Sequence, residues 1–201
     1  MNKVSNPKFW NDRYLDENTK WDLGGPTPIL SHYLKTKNNI GRVCVLGCGK
    51  GHDAIEFSKY QNDVHAVDFS EEALKDLKQR ASNENAKINI HNKDIFLLPN
   101  SHEDFFDMVY EYTCYCAIDP DRRADYFSMV HSILKKNGLF FGIMIPLDKD
   151  VYNDEGPPFG VSIKQIEELT VNYFDIVENQ FSKYSIEPRK GREKILVLKK
   201  K

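Results

Sequence analysis

An open α/β sheet of seven strands, mostly parallel and closed by an antiparallel strand near the C-terminus, is the architecture this sequence predicts. Three observations predict it. A short apolar run, Val43 to Leu46, breaks into glycines at alternate positions, Gly47, Gly49 and Gly51. Apolar runs of strand length then alternate with amphipathic stretches of helix length as far as Ile145. The last two apolar runs, Phe174 to Glu178 and Lys194 to Leu198, read as strands that pair antiparallel. With 201 residues the chain can bury one good core. Residues 1–201 therefore read as a single domain, of which 1–40 form an N-terminal aromatic and helical segment.

That segment begins with Phe9, Trp10 and Tyr14, spaced for one helical face, and continues through Trp21 into a loop forced by Gly24, Gly25, Pro26 and Pro28. Both tryptophans precede the fold proper. The bland reading is a helix stapled to the core; the sharper one, which we adopt, is a lid whose aromatic faces cover a cation. Ile29, Leu30, Tyr33 and Leu34 then make an amphipathic helix leading into the first strand.

Val43 to Leu46 has the character of a strand buried on both faces. The three glycines turn it sharply into a helix opening near His52, and a side chain on any of them is expected to stand between backbone and ligand. The dinucleotide fingerprint Gly-x-Gly-x-x-Gly would place its third glycine at position 52, where this chain has His52. Gly-x-Gly-x-Gly instead resembles the first motif of the class I S-adenosylmethionine-dependent methyltransferases, which have a Rossmann-like sheet. Asp68 supports that reading, because it ends the next apolar run, Val64 to Val67, where it can accept from both ribose hydroxyls.

Ser70 caps the following helix, Glu71 and Glu72 favour its N-terminal dipole, and Ala73, Leu74, Leu77 and Ala81 form its apolar face. Ile88 to His91 reads as the third strand. Just past it, Asp94 can accept from an exocyclic amine and the Ile95 N–H can donate to an adenine ring. Phe106 to Tyr110 is the fourth strand, with residues 111–117 leaving its carboxyl end, where a substrate meets the cofactor in such sheets. Cys114 and Cys116 lack two further ligands for zinc and read as small buried packing; no metal is expected. Asp119-Pro120 starts a helix whose stripe is Tyr126, Phe127, Val130, Ile133 and Leu134, and which Asn137-Gly138 ends. Leu139 to Ile145 is the fifth strand, stopped by Pro146. Residues 154–160, rich in Gly and Pro, form a loop on the ligand side, and Ser162 with Gln165 forms a capping box.

Composition narrows the function. A net charge of −2 gives no long-range attraction for a polyanion, so nucleic acid is an unfitting partner. No apolar run approaches the ~20 residues of a membrane span. Residues 1–20 carry no apolar signal core, and the four cysteines form no disulfide-like framework, which together point to a reducing cytosol. The basic cluster Arg189, Lys190, Arg192, Lys194 and Lys199 to Lys201 reads as a solvated edge strand and tail.

Phe-Trp-x-x-x-Tyr at 9–14, Trp21-Asp22-x-Gly24-x-x-Thr27-Pro28, Tyr112-Thr113, Gly156-Pro157-Pro158-Phe159 and Pro188-Arg189-Lys190-Gly191 together resemble the thiopurine S-methyltransferase superfamily. Within it the chain is most similar to the thiol, thiocyanate and halide methyltransferases. The resemblance implies S-adenosylmethionine as cofactor, with Trp10, Tyr14 and Trp21 closing over it. It also implies Gly47 and Gly49 at the methionine portion, Asp68 on the ribose, Asp94 and Ile95 at the adenine, and Tyr112 at the amino-acid end. Thiopurine enzymes proper tend to carry arginine where this chain has Tyr112, which argues against a thiopurine substrate.

The chemistry expected is methyl transfer to a small sulfur or halide nucleophile. If that nucleophile is already an anion, neither metal nor general base is required, which fits the want of a convincing His–carboxylate pair in the sequence. Trp21, Tyr115 and Phe159 are expected to position it and exclude water. Arg189 can hold the anion, but a surface role is favoured. The partner expected is a small molecule, met by a monomer. The rivals are an idle cofactor-binding regulatory module, a methyltransferase of some other small molecule, and a nicotinamide oxidoreductase, the last disfavoured by His52.

Overall fold

The computed structural model describes residues 3–37, 39–149 and 156–201. Its strands are β1 (Arg42–Leu46), β2 (Asp63–Asp68), β3 (Ile88–Asn92), β4 (Phe106–Tyr112), β5 (Leu134–Met144), β6 (Phe174–Gln180) and β7 (Lys194–Lys200). They form one sheet in the order β3-β2-β1-β4-β5-β7-β6. β1 to β5 pair in parallel, and β7 runs antiparallel to both β5 and β6. The expected seven-stranded, mostly parallel sheet is therefore the one observed.

Among the described residues seven α-helices cover the two faces: α1 (Pro7–Leu15), α2 (Pro28–Thr36), α3 (His52–Ser58), α4 (Glu71–Asn83), α5 (Pro99–His102), α6 (Arg123–Ile133) and α7 (Ile163–Thr170). β1 shows why a strand here must be apolar throughout. Val43 and Val45 pack into one cluster with Leu30, Leu34, Phe57 and Leu77, while Cys44 and Leu46 pack into the other with Tyr126, Phe127 and Val130. No helix among the described residues is long and apolar enough to cross a membrane.

Local signals act as expected at several termini. Ser70 Oγ accepts from Ala73 N–H at 3.3 Å and Ser162 Oγ from Gln165 N–H at 3.3 Å. The Gln165 side chain also reaches sideways, its Oε1 accepting from Arg123 at 3.1 Å, so the cap of α7 is tied to α6.

Three expectations are corrected. Asp119 caps only a single 3₁₀ turn, Pro120–Arg122, and α6 proper begins at Arg123. The helix also ends four residues before Asn137: Leu134 is fully buried opposite Phe106 as the first residue of β5, and Asn137, at φ 65°, accommodates the irregularity after which Leu139 pairs with Met108. The basic C-terminal stretch is not an edge, because β6 lies outside β7. Lys200 is buried and donates to Asp104 and to the carbonyls of His131 and Leu134, each at 2.7 Å. Residues 154 and 155 of the expected ligand-side loop lie outside the described residues; Gly156 to Gly160 is irregular, as expected.

Candidate active site

The strand order reverses between β1 and β4, and the crevice beyond their carboxyl ends is where an open α/β sheet binds its ligand. A cavity of about 660 Å³ lies there. Its floor is the glycine turn. Gly47, Gly49 and Gly51 all have positive φ, 56°, 52° and 80°. A Cβ on Gly47 would stand 2.8 Å from Cys114 Sγ and one on Gly49 2.8 Å from the Tyr14 hydroxyl, while one on Gly51 would overlap Leu77 of α4. The glycines are thus required by close packing of the protein on itself, and the expectation that they clear space for a ligand is corrected to that extent. Gly47 and Gly49 nonetheless line the cavity.

Asp68 ends β2 beside this turn. Its Oδ2 accepts from Gly49 N–H and its Oδ1 from Ser70 N–H, both at 2.9 Å, so it clamps the floor as well as facing the cavity. A carboxylate has about four lone-pair sites, which leaves acceptor capacity for the hydroxyls of a ligand. Burial raises its pKa, and the backbone N–H bonds oppose the shift.

The roof is aromatic. Trp10 meets Trp21 edge-on with ring centroids 5.6 Å apart, Tyr14 meets Trp21 at 5.8 Å, and Trp10 Nε1 donates to the Val4 carbonyl at 2.9 Å. All three rings line the cavity. Burial, with Asp68 nearby, holds the Tyr14 phenol well above its usual pKa. The arm carrying these rings is fastened at several points. Asp22 takes the Gly24 N–H at 2.8 Å and lies 3.2 Å from both Lys50 Nζ and His52 Nε2 on the glycine turn. The His52 contact above all, aided by Gly24 and Lys50, holds the Asp22 carboxyl well below the usual carboxylate range. Thr27 N–H and Oγ1 both bond Asp53 at 2.7 Å, and Tyr110 donates to the same carboxylate at 2.8 Å.

On one wall, Asp94 caps the 3₁₀ turn Ile95–Leu97 through a 3.0 Å bond from Phe96 N–H, and Asp94 and Ile95 both face the cavity. Opposite, Tyr112 donates to Glu193 Oε2 at 3.0 Å and accepts from Arg189, whose other terminal nitrogen donates to the Trp21 carbonyl at 2.8 Å. Burial, with Glu193 close by, pushes the Tyr112 phenol up. Arg189 is only 9% exposed and lines the cavity, so the surface role favoured from the sequence is corrected. Its basic neighbours disguised a residue that the fold turns inward.

A match to the family model described as Thiopurine S-methyltransferase (TPMT) spans residues 5–201. The chain belongs to this family. Membership makes it an S-adenosylmethionine-dependent methyltransferase, and the cavity fits that cofactor on its own terms: a floor of backbone amides, a terminal carboxylate on β2 and a roof of indole and phenol rings. Among its relatives, the chain is 32% identical to Thiocyanate methyltransferase 1 of Brassica oleracea, over 92% of this chain and 82% of that one. It is 30% identical to Probable thiol methyltransferase 2 of Arabidopsis thaliana, with the same coverage. Thiopurine S-methyltransferase of Vibrio atlanticus is 25% identical, over 88% and 87% of the two chains. Among solved structures, the 1,6-didemethyltoxoflavin-N1-methyltransferase of Burkholderia thailandensis superposes with a TM-score of 0.73 at 19% identity, over 98% of this chain and 87% of that one, and shares the fold.

In this methyltransferase, nine residues expected at the cofactor come together around one cavity: Trp10, Tyr14, Trp21, Gly47, Gly49, Asp68, Asp94, Ile95 and Tyr112. Two of the residues expected to position the acceptor do not line it. Tyr115 is 1% exposed and packs in the core against Tyr126 and Phe127. Phe159 is buried behind the wall, its N–H bonded to the Cys116 carbonyl at 2.8 Å, while Pro157 and Pro158 face the cavity instead. Tyr115 opens a single 3₁₀ turn, Tyr115–Ala117, and Phe159 lies in irregular chain, so neither has a run of periodic neighbours to signal its facing. Sequence reading also missed the anchoring roles of Asp22, Thr27 and Asp53. The Trp-Asp and Thr-Pro spacings mark those residues, but the partners are set by folding.

Proposed function

We propose that the protein methylates a small sulfur or halide nucleophile, such as a thiol, hydrosulfide, thiocyanate or halide, by in-line displacement. The observation that carries this reading is a buried guanidinium, Arg189, which lines the same cavity as the apolar Ile145, Pro146, Pro157 and Pro158. A cation in such a setting favours a small, weakly hydrated anion over a bulky or neutral acceptor. Relatives named for thiocyanate and thiol methylation support the same class.

When bound, the cofactor supplies a methyl group on a sulfonium whose leaving group is a neutral thioether. Asp68 would hold the ribose and the backbone of Gly47 to Gly49 the methionine portion, while Trp10, Tyr14 and Trp21 would close over the sulfonium and keep water out. Arg189 draws the anion toward the cavity and, through the Trp21 carbonyl, couples the roof to the acceptor end. An anionic nucleophile needs no proton removed. Cys48, Cys114 and Cys116 also line the cavity; burial pushes the Cys116 thiol up to about 12 and holds the other two above their usual value, so the protein's own sulfurs stay protonated and unreactive.

One observation favours a second reading. The sequence suggested no His–carboxylate pair, yet His52 and Asp22 meet at 3.2 Å on the cavity wall. Such a pair can serve as a general base for a neutral thiol. The two readings separate by rate against pH: an anion of a strong acid, such as thiocyanate, gives a profile without a histidine limb, and base catalysis gives one with it. The experiment for the proposal itself is headspace analysis of purified protein supplied with S-adenosylmethionine and thiocyanate, iodide or hydrosulfide. Volatile methyl products are expected; silence on all three, beside turnover of a phenol or amine, overturns the substrate class.

A further inference from the structure

Away from the cavity, β2, β3 and α5 bring three imidazoles together. His65 and His91 project from one face of neighbouring parallel strands, as diagonal neighbours in the register that pairs His65 with Asn89 and Val67 with His91. His102 ends α5 and packs against the same place, its ring stacked on Phe106. One nitrogen from each ring lies within 4.8 Å of the others. None of the three lines the cofactor cavity.

We infer that His65, His91 and His102 form a binding site for a borderline divalent transition-metal ion of the zinc type. Three convergent imidazoles suit Zn²⁺, Ni²⁺ or Cu²⁺ and offer nothing to the oxygen-seeking Mg²⁺ or Ca²⁺. His65 Nδ1 and His91 Nε2 stand 2.9 Å apart. Two nitrogens bound to one tetrahedral zinc at about 2.0–2.1 Å are roughly 3.3 Å apart, so this pair needs to open by only about half an ångström.

The surroundings resemble the outer shell of a metal site. Asp63 Oδ1 lies 3.5 Å from His65 Nε2 and is itself held by Asn89 Nδ2 at 2.9 Å. A proton on Nε2 facing that carboxylate leaves the Nδ1 lone pair pointing at His91. Ser101 Oγ lies 2.8 Å from His102 Nδ1, which leaves Nε2 of that ring for the ion. His65 is buried and His91 and His102 are half-buried, which gives an ion a way in and leaves the fourth position to water. Lys93, 3.4 Å from Ser101 Oγ, and Arg42 near Asp63 act against a dication, so affinity in the micromolar range is expected rather than tighter.

The test is calorimetric titration of the full-length protein with zinc chloride, alongside His91→Gln and His102→Gln. One equivalent is expected to bind, and each variant to weaken binding at least about tenfold, with S-adenosylhomocysteine affinity and circular dichroism unchanged. If one variant fails to fold, the other, together with cobalt(II) absorption of the wild type, carries the decision. Strong ligand-field bands without sulfur-to-cobalt charge transfer are expected. No heat, affinity indifferent to both histidines, or a thiolate spectrum would overturn the assignment.

Discussion

Asp68 serves two ends at once, since the oxygens that clamp Gly49 and Ser70 belong to the carboxylate expected to hold the cofactor's ribose. Asp68→Ala should therefore weaken S-adenosylhomocysteine binding by roughly ten- to a hundredfold, the loss of one charged hydrogen-bond acceptor, and should also lower the unfolding midpoint. Calorimetry finding full affinity would remove Asp68 from the site. Glu111 makes a separate, pH-dependent prediction. It is 1% exposed on β4 and accepts from the N–H groups of Cys114 and Tyr115, both at 3.0 Å, yet burial outweighs these bonds and raises its pKa to about 7. The folded state then keeps a proton that the unfolded chain gives up near pH 4.5. Its contribution to stability is full below that pH and falls by up to about 1.4 kcal/mol per pH unit until pH 7 is passed. Glu111→Gln, which still offers an acceptor oxygen, should remove that slope. The difference in melting temperature between wild type and variant, followed from pH 5 to pH 8, is the measurement; a constant difference would refute the buried titration.

At the scale of elements, the N-terminal arm and the turn after β1 behave as one unit. Both tryptophans of the protein lie in the arm, so intrinsic fluorescence reports its state and should change on addition of S-adenosylhomocysteine. Asp22→Ala removes the contacts to Lys50, His52 and Gly24, and is expected to weaken cofactor binding roughly tenfold and to reduce that fluorescence change. An unaltered titration would mean that the arm is held by its other contacts, Thr27 to Asp53 and Trp21 to Arg189. The turn itself tolerates little. Gly51→Ala meets both a left-handed backbone and Leu77, and should cost at least about 2 kcal/mol in urea unfolding. The arm's aromatic spacing and the glycine spacing were both legible in the sequence, because each is a local rule of helix face or tight turn. The bonds joining them were not, since Asp22 and Lys50 are 28 positions apart in the chain and become neighbours only once β1 and the arm are placed.

For the whole molecule, all seven strands were readable from apolar runs, the central ones because they are buried throughout, and the outer β3 and β6 from short apolar runs although they bury little. What failed was what depends on sheet order and facing. β7 looked like an exposed basic edge, yet lies inside β6 with Lys200 buried, and Arg189, on the 3₁₀ turn before it, reaches Tyr112 and the Trp21 carbonyl at the cavity. Leu134 fitted the helical stripe of α6, yet it opens β5, where it pairs with Phe106, a long-range partner that helical spacing does not show. Tyr115 and Phe159 were placed by residue type, which says nothing of whether an irregular segment faces the core or the ligand. In the proposed reaction Arg189 acts on an anion in this cavity. The most direct measurement of this is steady-state methylation of thiocyanate by wild type and Arg189→Gln at saturating S-adenosylmethionine, with S-adenosylhomocysteine affinity measured in parallel. The account predicts a KM for thiocyanate raised roughly tenfold or more with cofactor affinity little changed; an unchanged KM would contradict it.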